Sequence, residues 1–119
     1  MNLSSLDVPT IRAAGWAYRA YLKAKKDVAV NGLEGGDLPQ VPKLPPQALR
    51  GVEGVLRRVE ATCLVGALVR QAWFSAQGDP RDLIVGVTAP SSGFKAHAWL
   101  EGDPPCHEGF EELTRRSAR

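Results

Sequence analysis

The segment 63–77 constrains the fold most, because it has helical end signals and apolar side chains around most of its circumference. Thr62 is a natural N-cap before this segment, and Gly78 followed by Asp79 and Pro80 is a natural stop after it. A helix that is hydrophobic on all sides must be buried. Since 119 residues form a single domain with a modest core, we expect this helix at the centre.

Two further helices are predicted upstream of it. Asp7 or Thr10 can cap the first, Pro9 is acceptable in its first turn, and its pattern continues to about residue 26. The apolar residues of this helix recur at helical spacing: Ile11, Ala14, Tyr18, Tyr21 and Leu22. The second is predicted over residues 47–59, where one face carries Leu49, Val52, Leu56 and Val59.

Between these two helices, residues 31–46 are too rich in glycine and proline for a regular element. Leu38, Val41 and Leu44 recur every three residues, which suits a polyproline-like segment with one apolar edge. The segment is either a flexible tether or a strap across the domain, and the spacing favours the strap.

The C-terminal part has β character. Residues 82–87 and 94–101 are predicted strands separated by turn residues, and residues 106–113 can supply a third. On the second strand, Lys95, His97 and Trp99 point to one face. Helices followed by a small antiparallel sheet make this an α+β fold.

Composition excludes several classes of function. The net charge is +2 without a dense basic run, which argues against nucleic acid as the main partner. The sequence has no apolar run of transmembrane length and no signal-peptide pattern at its start. With two cysteines, a disulfide framework is not expected. We therefore expect a cytoplasmic protein with reduced thiols and no membrane partner.

Cys63 and His97 are the residues that point to chemistry. Cys63 is the first residue of the central helix, where the helix dipole and unpaired N–H groups stabilise a thiolate and can bind an oxyanion. A lone cysteine is more often a small buried hydrophobe, but the capping threonine before it favours a nucleophile. His97 can deprotonate the thiol and then protonate a leaving amine. Trp99 and Phe94 are the candidate substrate-binding residues.

A catalytic imidazole needs an acceptor that fixes its orientation. Glu101 shares the His97 face but lies about 13 Å away along an extended chain, which is too far. Glu108 can return on an adjacent strand and is the first candidate, and Asp103 in the turn is the second. Cys106 and His107 lack the spacing of a zinc site, so neither a metal nor a cofactor is expected.

Residues 61–69, 83–87 and 93–101 together resemble the transglutaminase-like leader peptidases of lasso-peptide biosynthesis. The order, the spacing and the string F-x-A-H-A-W-[LV]-E fit, and the resemblance extends over about residues 49–113. It implies a papain- and transglutaminase-like core with a Cys–His–acid triad, in which Cys63 is the nucleophile and His97 the base. Such proteins cleave the leader from a ribosomally made precursor peptide in the bacterial cytoplasm.

The resemblance also implies partners. In split systems a small leader-recognition protein delivers the precursor, and an ATP-dependent, asparagine-synthetase-like enzyme then closes the macrolactam ring. The N-terminal helix is the candidate dock through Trp16, Tyr18 and Tyr21, with packing of these aromatics on the core as the alternative. By function we divide the chain into residues 1–46, which dock the partner, and residues 47–119, the peptidase core.

Two positions depart from the family pattern. Gly66 stands one turn after the cysteine, where relatives often have a polar or basic residue, and Glu108 replaces the usual aspartate about a dozen residues after the histidine. Two alternatives therefore remain beside the peptidase: an inactive relative that only binds peptide or partner, and an acyltransferase that uses the same thioester.

Overall fold

The computed structural model describes residues 7–34, 37–88, 95–104 and 109–118. Three helices precede a three-stranded antiparallel sheet, which confirms the α+β class. The chain divides into two compact units, Met1–Ala61 and Thr62–Arg119. The elements are α1 (Val8–Asn31), α2 (Leu49–Arg58), α3 (Cys63–Ala76), β1 (Leu83–Thr88), β2 (Ala96–Leu100) and β3 (Phe110–Arg116), with single 3₁₀ turns at Gly32–Glu34 and Pro46–Ala48.

Of the two candidate caps, Asp7 caps α1. Its carboxylate accepts a hydrogen bond from the Thr10 N–H at 2.9 Å, and the hydrogen bonds to Thr10 lower the pKa of Asp7. The helix continues to Asn31, beyond the predicted end near residue 26, and stops at Gly32, whose φ of 58° is left-handed. Among the described residues, no helix is both long and apolar enough to cross a membrane.

Small side chains form the buried face of α1. Trp16 is the large exception: it is fully buried, and its indole N–H donates to the Pro39 carbonyl at 2.9 Å. It is therefore unavailable to a docking partner, which corrects that part of the expectation, whereas Tyr18 is exposed and Tyr21 half-buried. The buried residues of α1 are Thr10, Ala13, Trp16, Ala17, Ala20 and Ala24.

The segment 37–45 has no regular structure, as predicted. Leu38, Val41 and Leu44 are each partly buried, and Pro39 accepts the indole hydrogen bond of Trp16. Within its own unit, this part of the segment is therefore joined to α1 at Pro39, and the strap stays a prediction.

Gly51 allows α1 and α2 to approach at backbone distance. A Cβ atom at Gly51 would lie 2.2 Å from the Thr10 carbonyl oxygen and 3.1 Å from the Ala14 nitrogen. α2 thus belongs to the same compact unit as α1. The division after residue 46, which groups α2 with the peptidase core, stays a prediction about function.

α3 is the buried helix of the second unit, as predicted. The Thr62 hydroxyl oxygen accepts a hydrogen bond from the Val65 N–H at 3.2 Å, and the helix ends before Gly78, which has a φ of 81°. The side-chain amide of Gln71 donates to the carbonyls of Arg81 and Arg116 at 2.9 and 3.0 Å, and so ties α3 to one end of the sheet. The buried residues of α3 are Val65, Gly66, Ala67, Leu68, Val69, Gln71 and Trp73.

The strand order is β2-β1-β3, with both pairs antiparallel. His97 is opposite Gly86 and Trp99 is opposite Ile84, so these four residues share one face. The alternation predicted for His97 and Trp99 is therefore confirmed. β3 begins later than predicted, at Phe110, and its register with β1 shifts at an irregularity between Val85 and Gly86.

We expect Gly51→Ala to destabilise the protein, because a methyl group cannot fit against the α1 backbone and such overpacking costs about 1–3 kcal/mol. Gly54→Ala, one turn further along α2, is the matched control: its Cβ would meet nothing within 4 Å, and the gain in helix propensity is about 1 kcal/mol. Thermal denaturation should therefore show a lower Tm for the first variant and a slightly higher Tm for the second. Equal effects would contradict this packing.

Candidate active site

Cys63 is the first residue of α3 and carries an exposed free thiol. The first backbone hydrogen bond of the helix runs from the Gly66 N–H to the Thr62 carbonyl at 2.9 Å, and the Thr62 side chain takes the Val65 N–H. The N–H groups of Cys63 and Leu64 precede this first bond and so have no acceptor within the helix. An accessible thiol thus lies beside two donors suited to a negatively charged oxygen.

His97 is the second residue of β2 and is half-buried. Its ring stacks on Trp99, with centroids 5.7 Å apart at 23°, and it also contacts Phe110, with centroids 5.5 Å apart at 45°. We call Trp99 and Phe110 the aromatic pair; their own centroids are 6.5 Å apart. No local pattern in the sequence identifies Phe110, since its contact with His97 depends on the register of β3.

Gly86 makes room for this arrangement. A Cβ atom there would lie 2.7 and 2.9 Å from the outer ring carbons Cη2 and Cζ3 of Trp99, and 3.0 Å from the Glu111 carbonyl oxygen. The indole therefore lies across the bare backbone of Gly86, beside the His97 ring. Because Trp99 is only 7% exposed, its clearest effect is to position the imidazole; its contact with substrate stays a prediction.

Asp103 forms a partly buried ion pair with Arg70 of α3. The two groups make a bidentate contact, and Asp103 also accepts a hydrogen bond from the Leu100 N–H at 2.9 Å. Its carboxylate thus ties the C-terminal end of β2 to α3, away from His97. Its role as the alternative third triad member stays a prediction. The first candidate, Glu108, lies outside the described residues, as does Phe94.

Cys63 and His97 lie at similar distances from the Arg70–Asp103 ion pair, each measured along its own element. A helix rises about 1.5 Å per residue, so Cys63 lies about 10 Å from Arg70 along α3. A strand rises about 3.3 Å per residue, so His97 lies about 10 Å from Leu100 along β2. α3 packs against β2, and the pairing of the Cys63 thiol with the His97 imidazole stays a prediction.

No metal-binding cluster of three or more His, Cys, Asp or Glu side chains is found in the ranges that the structure describes. What this site offers is a thiol, an imidazole and backbone donors. That set is suited to acyl transfer through a thioester.

The comparison with known families agrees with this chemistry. A family model described as "Transglutaminase-like superfamily" matches residues 6–117. Because the match spans nearly the whole chain, the chain belongs to the transglutaminase-like superfamily, whose members are typically cysteine peptidases or acyltransferases. No curated protein and no solved structure matches the chain significantly.

We expect Gly86→Ala to displace the Trp99 ring and to disorder the stacking on His97. The variant should lose about 1–3 kcal/mol of stability through overpacking and change the near-ultraviolet circular dichroism of tryptophan. The double variant Gly86→Ala/Trp99→Phe should recover part of the stability, because phenylalanine lacks the two ring carbons nearest the new methyl group. If Trp99→Phe recovers none of the lost stability, the Trp99 indole is not the reason that position 86 requires glycine.

Proposed function

We propose that this chain is a cysteine peptidase that removes the leader peptide from a ribosomally synthesised lasso-peptide precursor. The observation that carries the proposal is the exposed Cys63 thiol at the start of α3, on which the His97 strand packs. Superfamily membership supports thiol chemistry. The string of residues 94–101 supports the leader-peptidase class.

The first half-reaction forms a thioester. The Cys63 thiolate attacks the scissile carbonyl carbon, and the electron pair moves to the carbonyl oxygen, which the N–H groups at the start of α3 can hold. The tetrahedral intermediate then collapses and the C–N bond breaks. The leaving amine takes its proton from the His97 imidazolium, which received that proton from the thiol.

The second half-reaction releases the leader. A water molecule gives a proton to His97 and attacks the thioester carbonyl, and the C–S bond breaks to regenerate the thiol and leave a carboxylate on the leader. The aromatic pair supports this role of His97, since two ring contacts restrict the motion of the imidazole. An acyltransferase shares the first half-reaction and differs in using an amine where the peptidase uses water.

We place the reaction in the bacterial cytoplasm, with the precursor delivered by a separate leader-recognition protein. The product amine would then be a substrate for the ATP-dependent macrolactam cyclase. The support is the resemblance to split leader peptidases, together with a free cysteine that suits a reducing compartment.

We expect Cys63→Ala and His97→Ala each to reduce cleavage of the precursor by at least about a thousandfold while the fold is retained. The assay is mass spectrometry of the precursor encoded nearby, with and without the leader-recognition protein. Cys106→Ala is the matched control, because Cys106 is the second of only two cysteines, and this variant should cleave normally.

A cut at one bond near the leader–core junction, lost in the Cys63 variant, would support a leader peptidase. Full activity of either variant would remove the peptidase assignment. If the chain binds precursor and partner but never cleaves, it is a binding-only relative. An added primary amine that appears on the leader in place of the carboxylate would favour the acyltransferase.

The third triad member can be tested with two isosteric variants. We expect Glu108→Gln to lower the cleavage rate strongly with little change in Tm, since an orienting acid acts on the reaction. Asp103→Asn should lower Tm, because it leaves the Arg70 charge without its partner, and should retain most of the rate well below that Tm. The reverse pattern would make Asp103 the triad acid.

A further inference from the structure

α1 exposes a stripe of large apolar side chains. Val8 is 68% exposed, Ile11 56%, Tyr18 49% and Leu22 48%, while the alanines of the same helix are buried. A surface helix normally turns its apolar stripe towards the core and its charged and polar residues towards water. Contiguous exposed apolar surface marks an interaction site more often than a solvated face.

The stripe has the spacing of a helix–helix seam. Val8, Ile11, Gly15, Tyr18 and Leu22 are separated alternately by three and four residues, which is the a/d pattern of a coiled coil. Gly15 occupies the middle of the seam, and a Cβ atom there would meet nothing within 4 Å. A partner backbone could therefore approach α1 closely at this point, as small residues allow.

A groove continues the stripe onto α2, within the same compact unit. Its volume is about 820 Å³, and the stretch of α1 that lines it, from Thr10 to Tyr18, rises about 12 Å, or roughly two helical turns. We call the stripe and this groove together the α1–α2 surface. The apolar and small residues lining the groove are Ile11, Ala14, Tyr18, Gly54, Val55 and Val59.

Positive charge borders this surface on both sides. Arg12 and Arg19 follow Ile11 and Tyr18, so they hold the two e positions of the seam. Arg57 and Arg58 line the groove on α2, and the described residues that line it include no Asp or Glu. In the part of the chain that the structure describes, none of these four arginines has an ion pair.

The charge decides between possible occupants. Residues 1–61 carry nine Lys and Arg against six Asp and Glu. A second copy of α1 would present the same arginines and no carboxylates at the corresponding positions. A nucleic acid would leave the apolar stripe uncovered. A partner helix with apolar anchors and flanking carboxylates would cover the apolar stripe and also pair with the arginines that border it.

We propose that the α1–α2 surface docks an amphipathic helix of a partner protein, with apolar residues at i, i+3 and i+7 and flanking Asp or Glu. The apolar anchors cover the stripe, and the carboxylates pair with the four arginines. Only the identity of that partner as the leader-recognition protein rests on the proposed function; the chemistry of the surface does not.

The test uses two fluorescein-labelled helical peptides about four turns long, which carry the same leucine seam. One has glutamates beside the seam and the other has lysines at the same positions. Fluorescence anisotropy with the full chain should show the acidic peptide binding at least about tenfold tighter, with a difference that shrinks as salt is raised. Equal affinities, or a preference that salt does not change, would overturn the proposal.

Two variants locate the binding. Gly15→Glu should abolish binding while raising Tm, because glutamate is a better helix former than glycine and its side chain blocks the seam. Arg12→Glu/Arg19→Glu should lower the affinity for the acidic peptide by at least about tenfold. Lys43→Glu/Lys95→Glu is the matched control, with the same change in charge at exposed positions outside the surface, and should alter affinity less than about threefold. If the control variant loses as much affinity for the acidic peptide as the arginine variant does, the effect comes from net charge alone and the proposal fails.

Other occupants give different results. Deletion of residues 1–6 that raises the affinity for the acidic peptide tenfold would assign the surface to the chain's own N-terminal segment. A concentration-dependent dimer that Gly15→Glu dissociates would assign it to a second copy. Either result overturns the proposal. Because binding needs no catalysis, these measurements stand or fall separately from the cleavage assay.

Discussion

The ion pair between Arg70 and Asp103 is the interaction on which the packing of α3 against β2 in the second unit depends. It joins α3 to the end of β2, and the Asp103 carboxylate also accepts a hydrogen bond from the Leu100 N–H. Sliding β2 by one residue along α3 would move His97 by about 3.3 Å relative to the start of α3. Arg70 and Asp103 are 25% and 9% exposed, so losing either partner leaves a charge that water only partly solvates. The pair therefore stabilises the packing of β2 on α3.

Much of this unit could be predicted because its signals are local. The Thr62 cap and the Gly78 stop define α3, and strand alternation places His97 and Trp99 on one face. Other features could not be predicted, because they depend on tertiary packing. Arg70 and Asp103 are far apart in sequence, and the position of Phe110 beside His97 depends on a register shift between β1 and β3. No periodicity in the sequence encodes either contact.

In the N-terminal unit, the pattern predicted a helix correctly but did not determine which of its faces is buried. α1 has two apolar faces, one of alanines with Trp16 and one of larger side chains. The alanine face packs because small residues and Gly51 let two backbones approach closely, and dispersion contacts at that distance offset the small area buried. Trp16 lies on the alanine face and fills space that alanines leave, with its N–H satisfied by Pro39.

The packing of α1 through its alanine face also explains why so small a protein leaves large apolar side chains exposed. Packing through alanine and glycine needs little side-chain volume, so this unit can form without covering Val8, Ile11, Tyr18 or Leu22. Leaving them in water forgoes about 25 cal/mol for each Å² of apolar surface, and that free energy becomes available to whatever covers them. The partner helix proposed above would cover this apolar surface and pair its carboxylates with the bordering arginines.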